Sequence, residues 1–566
     1  MRKPNDRVSI EYIKCFFYWS LLSLSLFSCN NDPAPLPHLG EKIVAARPED
    51  LNARTEEVIE GTLKDILQSN KKVLDSFKIR NPLVVQYIYS QNSFQPLWSI
   101  QGKIRRSADS LISFIDSSRK YGLYPEDYNN SKLSNLKAEL IGDTSKEKRL
   151  NASLWAYEDL LLTSAFVQVV TDLKSGRLLP DSIIVKDTTL TPAFYQSTLK
   201  SFFQISNEDF ASSLEPKLPA YQNIKEALQV FLQNADFKKF TYVSTLDSTQ
   251  IPALIYKRIG EEDSTLDQEY MPDSVQISRS IKKYQKARDI HPDGKITPEL
   301  VNFLNNTDRE KFIRIAINMD RYKQLTSLPD KYLWVNLPSY TLQLRDSDAV
   351  VIKSKIVIGK PDTRTPELTS TISDMITYPQ WHVPESIIKK EVLPGLKRDP
   401  GYTINKGLSI IDDHGNEIDP YLVDWSKYKN SIPYNVIQGS GDENALGVLK
   451  FNFPNKYSVY LHDTNQRYLF SKKLRALSHG CVRVQAWDKL ALYILRNDST
   501  YFPTYTPIDS LNRWLELKQK HYIPVHKPIP LYIRYITCEA KDGKMQFFDD
   551  VYNEDQRIRV KLFADK

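Results

Sequence analysis

Residues 478–484, SHGCVRV, carry the pattern around which the rest of this 566-residue chain is organised. A histidine, His479, and a glycine, Gly480, come directly before Cys481, and Arg483 follows two positions later. A glycine lets the backbone turn tightly beside a nucleophile, so the amides of Gly480 and Cys481 are expected to point at a developing oxyanion. The arginine fork suits a carboxylate. The stretch therefore has the composition of a reaction site centred on a thiol.

A second histidine lies upstream of the thiol. His462 ends the apolar, β-rich run YSVYLH, nineteen residues before Cys481. A cysteine is a good nucleophile only as the thiolate, and an adjacent imidazole can take its proton and stabilise the resulting charge. A single histidine near a strand end is more often structural. The combination at this spacing nevertheless predicts a cysteine nucleophile served by a histidine.

The order of these residues is similar to a known signature. A histidine, some nineteen residues, then SHGC, a β-branched residue and arginine resembles the peptidoglycan L,D-transpeptidases. The flanking text, NALGVLKFNFPNKYSVYLHDT and LFSKKLRALSHGCVRVQ, resembles their long periplasmic branch, which has an N-terminal scaffold region and a peptidoglycan-binding domain. Papain-like peptidases are excluded because they place the cysteine well before the histidine.

The resemblance implies a role for each residue of the pattern. His462 is expected to be the general base, and Cys481 the nucleophile that carries the acyl group. His479 and Gly480 are expected to shape the oxyanion site. The family orients its base through a group just after it, which is Asp463 here, either by its carboxylate or by its backbone carbonyl.

The implied reaction is acyl transfer between peptidoglycan stem peptides. Cys481 attacks the carbonyl of the third residue of a donor tetrapeptide, D-Ala leaves after protonation by His462, and an acceptor stem amine takes the acyl group. The product is a 3→3 cross-link. Water as the acceptor would make the protein an L,D-carboxypeptidase, and an envelope protein as the acceptor would make it an attachment enzyme.

A non-enzymatic interpretation remains open from the sequence. Outside the first 29 residues the chain has only two cysteines, Cys481 and Cys538. In an oxidising envelope two thiols can form a disulfide. The protein would then be a non-catalytic peptidoglycan-binding lipoprotein with an idle or paired thiol.

The N-terminus predicts export. Basic residues precede the apolar run FFYWSLLSLSLFS, which is too short to cross a bilayer but suits the core of a signal peptide. The run ends at Cys29 in LFSC, which resembles the lipobox of bacterial lipoproteins, in which that cysteine is lipidated. We expect an exported protein, lipid-anchored in the cell envelope and facing the periplasm. An ordinary cleaved secretory signal is the alternative.

Composition and charge narrow the partners. The net charge of +7 is the small difference between 76 basic and 69 acidic side chains. The basic residues form no runs, so no nucleic-acid partner is expected. His291 and Asp293 flank a proline, which predicts a turn rather than a metal site. No metal and no cofactor are expected, and the sequence identifies no protein partner.

The whole chain is predicted to be a multidomain α+β protein. The pattern aromatic-Gln, Asp-Gly and a helix opened by Thr297 and Pro298 resembles a small helical peptidoglycan-binding domain. The predicted segments are a signal peptide at 1–28, a linker at 29–55, a helical scaffold without a site at 56–250, a peptidoglycan-binding-like module at 251–307, a helical linker at 308–330, a β-rich catalytic domain at 331–540 with a lid at about 385–438, and a C-terminal segment at 541–566.

Four residues are predicted to bind the substrate, and two of them are aromatic. The segment TYPQWHVPESI resembles the family's aromatic approach to the active site, so Trp381 and Tyr460 are expected to form its walls. The alternative interpretation is that these two aromatic side chains belong to the hydrophobic core and do not contact the substrate. Arg483 and Asp463 complete the set.

Overall fold

A computed structural model of the chain describes residues 36–69, 79–142, 146–179, 189–266, 272–325, 327–347 and 349–566. The predicted signal peptide and its Cys29 lie outside these residues. Within the described ranges, no helix combines the length and the apolar character that crossing a bilayer requires.

The N-terminal domain is helical, as predicted. Its elements are α1 (Leu51–Ser69), α2 (Pro82–Ser90), a hairpin of β1 (Ser99–Ile100) and β2 (Lys103–Ile104), α3 (Arg106–Asp116), α4 (Asn130–Gly142), α5 (Lys146–Arg149), α6 (Ala152–Ser175), α7 (Pro192–Phe202), α8 (Asn207–Leu214) and α9 (Pro219–Leu232). Helix α6 is buried on nearly every side, because its apolar residues are not confined to one face. Helices α1 to α4, α7 and α8 pack around it and share its core.

A small helical module follows, and its core is separate from that of the scaffold. It consists of α10 (Ile251–Gly260), α11 (Ser274–Lys286) and α12 (Pro298–Leu304). Thr297 caps α12 and Pro298 occupies its first turn, as predicted. In α11, Ile281 and Tyr284 are buried, whereas Val275 is 61% exposed. Asp293 accepts from the Lys295 amide in a turn.

Helix α13 (Asp308–Lys323) leads into the β-rich domain. It is more than a linker, because it lies in a core shared by α9, the first strand of the next domain and the C-terminal segment. Its Asp320 pairs with Arg177 at the end of the scaffold at 2.8 Å, with both side chains largely buried. The scaffold and the β-rich domain are therefore packed together through α13.

The β-rich domain opens with three consecutive strands. They are β3 (Lys331–Asn336), β4 (Thr341–Asp346) and β5 (Ala349–Gly359), and β6 (Leu368–Thr377) follows them. Neighbouring strands β3, β4 and β5 pair in antiparallel register.

The predicted lid forms a small unit with a core of its own. Its elements are β7 (Trp381–His382), α14 (Glu385–Ile387), a π-helical turn (Ile388–Val392), α15 (Leu393–Arg398), α16 (Tyr402–Asn405), β8 (Ser409–Ile411) and β9 (Asn435–Gln438). The three strands form a separate sheet in the order β7-β9-β8. The lid is therefore joined to the barrel at β7 and after β9.

The remaining strands complete a nine-stranded sheet. They are β10 (Leu449–Asn452), β11 (Leu461–His462), β12 (Ala476–Ser478), β13 (Val482–Val484) and β14 (His521–Arg534), with α17 (Trp487–Tyr501) and α18 (Ile508–Glu516) before β14. The sheet order is β12-β5-β13-β11-β10-β6-β14-β3-β4, and β4 also pairs with β5. That last pairing closes eight of these strands into a barrel around an apolar core, and β12 pairs with β5 outside the closed ring.

The C-terminal segment folds back onto the barrel and α13. It comprises β15 (Cys538–Lys541), β16 (Lys544–Phe547) and α19 (Glu554–Leu562). The predicted domain boundary at residue 540 is wrong, because it falls inside the β15–β16 hairpin. Cys481 and Cys538 are both free thiols. Cys538 is buried, with its sulfur 3.7 Å from that of Met545. The disulfide alternative is therefore not realised in this structure.

Candidate active site

Two short parallel strands bring the upstream histidine to the thiol. Strands β11 and β13 pair so that Leu461 lies opposite Val482 and His462 opposite Arg483. Side chains alternate between the faces of a strand, so Tyr460 and His462 lie on the same face as Cys481 and Arg483. The pairing of these two strands thus brings His462 close to Cys481, although nineteen residues separate them in the sequence.

The neighbouring strand adds a lysine that the sequence analysis did not single out. Lys450 of β10 lies opposite His462 in the antiparallel β10–β11 pair. Its Nζ is 4.0 Å from the centroid of the Tyr460 ring. Lys450 stands between two fully buried residues, Leu449 and Phe451. The signal available in the sequence was a single lysine between two large apolar residues.

Cys481 is partly exposed and is protonated at rest. Burial raises the pKa of its thiol, and hydrogen bonds from the backbone and side chain of Tyr460 oppose that rise, as do the nearby charges of Lys450 and Arg483. The ordinary pKa of a cysteine already lies above neutral pH. The attack therefore requires a partner that accepts the thiol proton.

His462 has the properties of such an acceptor. It is buried, and its Nδ1 has no hydrogen-bond partner among the described residues. Burial, with the charge of Arg483 second, lowers its pKa to about 3, against the opposing effect of the backbone carbonyls of Asp463 and Leu446. The imidazole is consequently neutral at physiological pH and can take a proton.

The structure distinguishes between the two roles left open for Asp463. Its carboxylate accepts from the Val448 amide at 3.1 Å and from Arg467 at 3.0 Å, so it is committed away from the imidazole. It also lies against Gly447, whose φ of +63° suits glycine, and a Cβ there would come within 2.3 Å of the carboxylate. The backbone carbonyl of Asp463, not its carboxylate, is therefore the group beside His462.

The turn before the nucleophile is bonded internally. Gly480 has a φ of +123°, a backbone conformation that side-chain-bearing residues rarely adopt. Its N–H donates to Ser478 Oγ at 3.1 Å, and that hydroxyl donates to the Cys481 carbonyl at 2.7 Å. The expectation that the Gly480 amide faces an oxyanion was therefore wrong, because the amide already has an acceptor.

The other amide of the turn is available. The Cys481 N–H has no acceptor among the described residues. An unpaired amide beside a nucleophile is the kind of donor that stabilises a developing oxyanion. The Cys481 amide is therefore the candidate oxyanion donor of this turn.

His479 contacts the lid. Its Nε2 lies 2.6 Å from Glu391 Oε1 in the π-helical turn, with about a third of the His479 side chain exposed. Single π-helical turns within helices often mark functional sites. The oxyanion role of His479 stays a prediction, and the structure adds a direct contact between the nucleophile turn and the lid.

Arg483 lies against the thiol with donors to spare. Its Nη1 donates to Gln466 Oε1 at 2.8 Å, whereas its Nε is buried without a partner among the described residues. An arginine held by a neutral amide keeps its full positive charge for a ligand. The predicted contact with a substrate carboxylate therefore has a donor in place.

The two predicted wall aromatics meet each other. The Trp381 side chain hydrogen-bonds to that of Tyr460, which also bonds to the thiol. Trp381 packs against the lid core as well. Both interpretations of Trp381 thus apply, because it belongs to a small core at the point where the lid joins the site.

The described residues contain no group of three or more His, Cys, Asp or Glu arranged to hold a metal ion. The chemistry at hand is that of a thiol, an imidazole, two cations and backbone amides.

A comparison with known protein families identifies this arrangement. The sequence model of the L,D-transpeptidase catalytic domain matches residues 330–501. The chain carries an L,D-transpeptidase catalytic domain. A second model, that of the scaffold domain, matches residues 84–228. The resemblance to an L,D-transpeptidase with an N-terminal scaffold is thereby confirmed, as is the predicted order of a helical scaffold and a β-rich domain.

Individual relatives match only part of this chain. A Haemophilus influenzae protein named "Putative L,D-transpeptidase" is 36% identical over 250 residues, which are 44% of this chain and 49% of that relative. The match thus spans about half of the relative's length. A solved L,D-transpeptidase from Mycobacterium smegmatis shares 13% identity over 36% of this chain and 58% of its own, with a TM-score of 0.18, which is too low to bear on the fold.

Proposed function

We propose that this protein is a cell-wall L,D-transpeptidase that forms 3→3 cross-links through an acyl-enzyme on Cys481. The observation that carries the proposal is the pairing of β11 with β13, which places a neutral, buried His462 beside a protonated thiol on one face of the barrel. The catalytic-domain match supports the reaction class.

The first half-reaction follows from the protonation states. His462 takes the thiol proton as the sulfur attacks the donor carbonyl, so charge develops on both partners only during the attack. Lys450 and Arg483 stabilise the sulfur anion, since both charges act to lower the pKa of the thiol. The Cys481 amide receives the oxyanion, and the protonated His462 returns its proton to the leaving D-Ala amine.

The second half-reaction needs an acceptor amine. An acceptor stem that carries an amine gives up its proton to His462 and takes the acyl group, which regenerates the thiol. Arg483, with its unpaired Nε, is suited to hold a stem carboxylate. The lid, which contacts the nucleophile turn through Glu391, would exclude water from the acyl-enzyme.

The decisive experiment incubates the purified protein with tetrapeptide stems and identifies the products by mass spectrometry. Cross-linked dimers with loss of D-Ala support the proposal, and the Cys481→Ala variant should give none. Tripeptides alone would show an L,D-carboxypeptidase, and transfer to an added envelope protein would show an attachment enzyme. Unchanged substrate with a folded protein would contradict the enzymatic proposal.

The envelope context is a separate part of the proposal. We propose lipidation at Cys29, a location in the envelope facing the periplasm, and peptidoglycan binding by the α10–α12 module. Mass spectrometry of the mature N-terminal peptide tests the first, since a mass without a diacylglyceryl group would contradict it. Co-sedimentation of the whole protein with purified peptidoglycan tests the last, since protein that stays entirely in the supernatant would contradict it.

A further inference from the structure

The loop after β5 holds the turn that carries the nucleophile. The Lys360 amide donates to the Ser478 carbonyl at 2.9 Å, and the Thr363 hydroxyl donates to the same oxygen at 3.0 Å. The Thr365 hydroxyl donates to the Gly480 carbonyl at 2.7 Å, and this contact is buried. Residues 360–365 therefore fix the two carbonyls that flank His479.

The direction of the Thr365 bond is forced by its neighbours. The Gly359 amide donates to Thr365 Oγ1 at 2.9 Å. An amide can only donate and a carbonyl can only accept, so the hydroxyl hydrogen of Thr365 must point at the Gly480 oxygen. The hydroxyl therefore accepts one hydrogen bond and donates another. Thr365 is only 2% exposed, so water does not compete for these bonds.

This bond determines where the Cys481 amide points. The Gly480 carbonyl and the Cys481 N–H belong to one planar trans peptide unit, in which they point in opposite directions. Holding the carbonyl on Thr365 therefore turns the N–H away from that loop, and the N–H has no acceptor among the described residues. We propose that Thr365 is a positioning residue that fixes the Cys481 amide as the oxyanion donor, and that Tyr552 holds Thr365 in place.

Tyr552 extends this arrangement into the C-terminal segment. Its hydroxyl donates to the Gly359 carbonyl at 2.7 Å and accepts from the Thr365 amide at 3.2 Å. Its own amide donates to the Tyr535 hydroxyl at 2.8 Å, and that hydroxyl donates to Asp550 at 2.7 Å. Tyr552 lies beyond residue 501, where the catalytic-domain match ends. The C-terminal segment is thus part of the machinery that shapes the oxyanion site.

The inference rests on the proposed acyl transfer at Cys481, but its test does not need a peptidoglycan product. The probe is a carbapenem, whose ring carbonyl is attacked by the thiol sulfur. A carbon–sulfur bond forms, the ring carbon–nitrogen bond breaks, and the thiol proton reaches the ring nitrogen through His462. Negative charge develops on the carbonyl oxygen during the attack, so the rate reports the oxyanion donor.

The comparison reaction is alkylation of Cys481 by iodoacetamide. This displacement at a saturated carbon has no oxyanion, so its rate reports the reactivity of the thiol alone. Both rates are measured on the full chain by mass spectrometry of the Cys481 peptide. For Thr365→Val we expect acylation to slow by about tenfold to a hundredfold, with alkylation changed by less than about twofold.

Two further variants make the result specific. Thr365→Ser keeps the hydroxyl and should restore most of the acylation rate. Tyr552→Phe removes only the oxygen that ties Thr365 to Gly359, and should slow acylation by about threefold to tenfold. If Thr365→Val fails to fold by thermal melting, the Tyr552→Phe comparison decides.

Three outcomes would overturn the inference. They are acylation of the folded Thr365→Val protein at the wild-type rate, equal losses in acylation and alkylation, and no rescue by serine. If the wild-type protein is acylated by the carbapenem but makes no cross-link or tripeptide from stem peptides, the proposed function would be contradicted instead. In that case the ratio of the two rates still tests Thr365.

Discussion

The barrel strands and the lid approach the same thiol in opposite ways. On the barrel side, His462 is buried and its Nδ1 is unpaired among the described residues. On the lid side, Glu391 meets His479 in a contact where the two side chains are 45% and 33% exposed. Charges act strongly where water is excluded and weakly where it is present. We therefore expect changes in the barrel strands to cost far more than changes in the lid contact.

The largest effect should come from the two residues that exchange the proton. Cys481→Ala should abolish turnover, and His462→Ala should lose nearly as much, because residues that act as one unit are not additive. The double variant should be no slower than either single variant. The check is the rate of dimer formation for all three proteins, with thermal melting to show that each is folded.

A mild loss in His462→Ala, together with a severe loss in His479→Ala, would reverse the assignment. The comparison of barrel and lid would then be broken, because the exposed imidazole would do the work assigned to the buried one.

The pH dependence of the acylation rate tests the resting protonation states of His462 and Cys481. The pKa of His462 is lowered to about 3, so the imidazole is neutral at all higher pH values, and the pKa of the thiol is raised, so it stays protonated through neutrality. The acylation rate should therefore be nearly constant between about pH 5 and pH 8 and show no step at the ordinary histidine pKa of about 6.5. The measurement is kcat/KM against pH, which reports the free enzyme.

A preformed thiolate–imidazolium pair would give a different profile. Its rate would fall as a group with a pKa between 5 and 8 loses or gains its proton. A step of that kind in the wild type would contradict the neutral resting state.

The sequence predicted the members of the site better than their contacts. The capped helix at Thr297 and the pattern of His462 and Cys481 are local signals, and each is found in the structure. The acceptor of the Gly480 amide could not be predicted, since it depends on the rotamer of Ser478. The role of Tyr552 was equally hidden, because its contact with Gly359 spans 193 residues.

Lys450 should give an intermediate effect. Its charge lies beside Tyr460 and acts on the thiol, so Lys450→Met keeps the length of the side chain and removes only the charge. We expect acylation to slow on the order of tenfold, less than the loss of a full oxyanion donor. Alkylation by iodoacetamide should slow as well, which distinguishes this cation from Thr365.

Lys450→Arg is the matched control, because it keeps the charge at that position. It should recover most of the rate. If Lys450→Met reacts as fast as the wild type in both reactions, the cation is structural and acts only through its packing on the Tyr460 ring.

The smallest effect should come from the lid contact. Glu391→Gln removes the charge of the group that faces His479 Nε2 but keeps a hydrogen-bonding side chain of the same length. Exposed pairs of this kind contribute about 0.2–1 kcal/mol, so kcat/KM for the stem peptide should fall by less than about fivefold. At high salt the difference in kcat/KM between Glu391→Gln and the wild type should be smaller, because salt screens the exposed pair in the wild type. Glu385→Gln, an exposed carboxylate elsewhere on the lid, is the control for a general loss of negative charge. A loss beyond about fiftyfold in Glu391→Gln, insensitive to salt, would mean that this glutamate acts on the reacting groups themselves, and that the lid belongs with the barrel strands as part of the catalytic machinery.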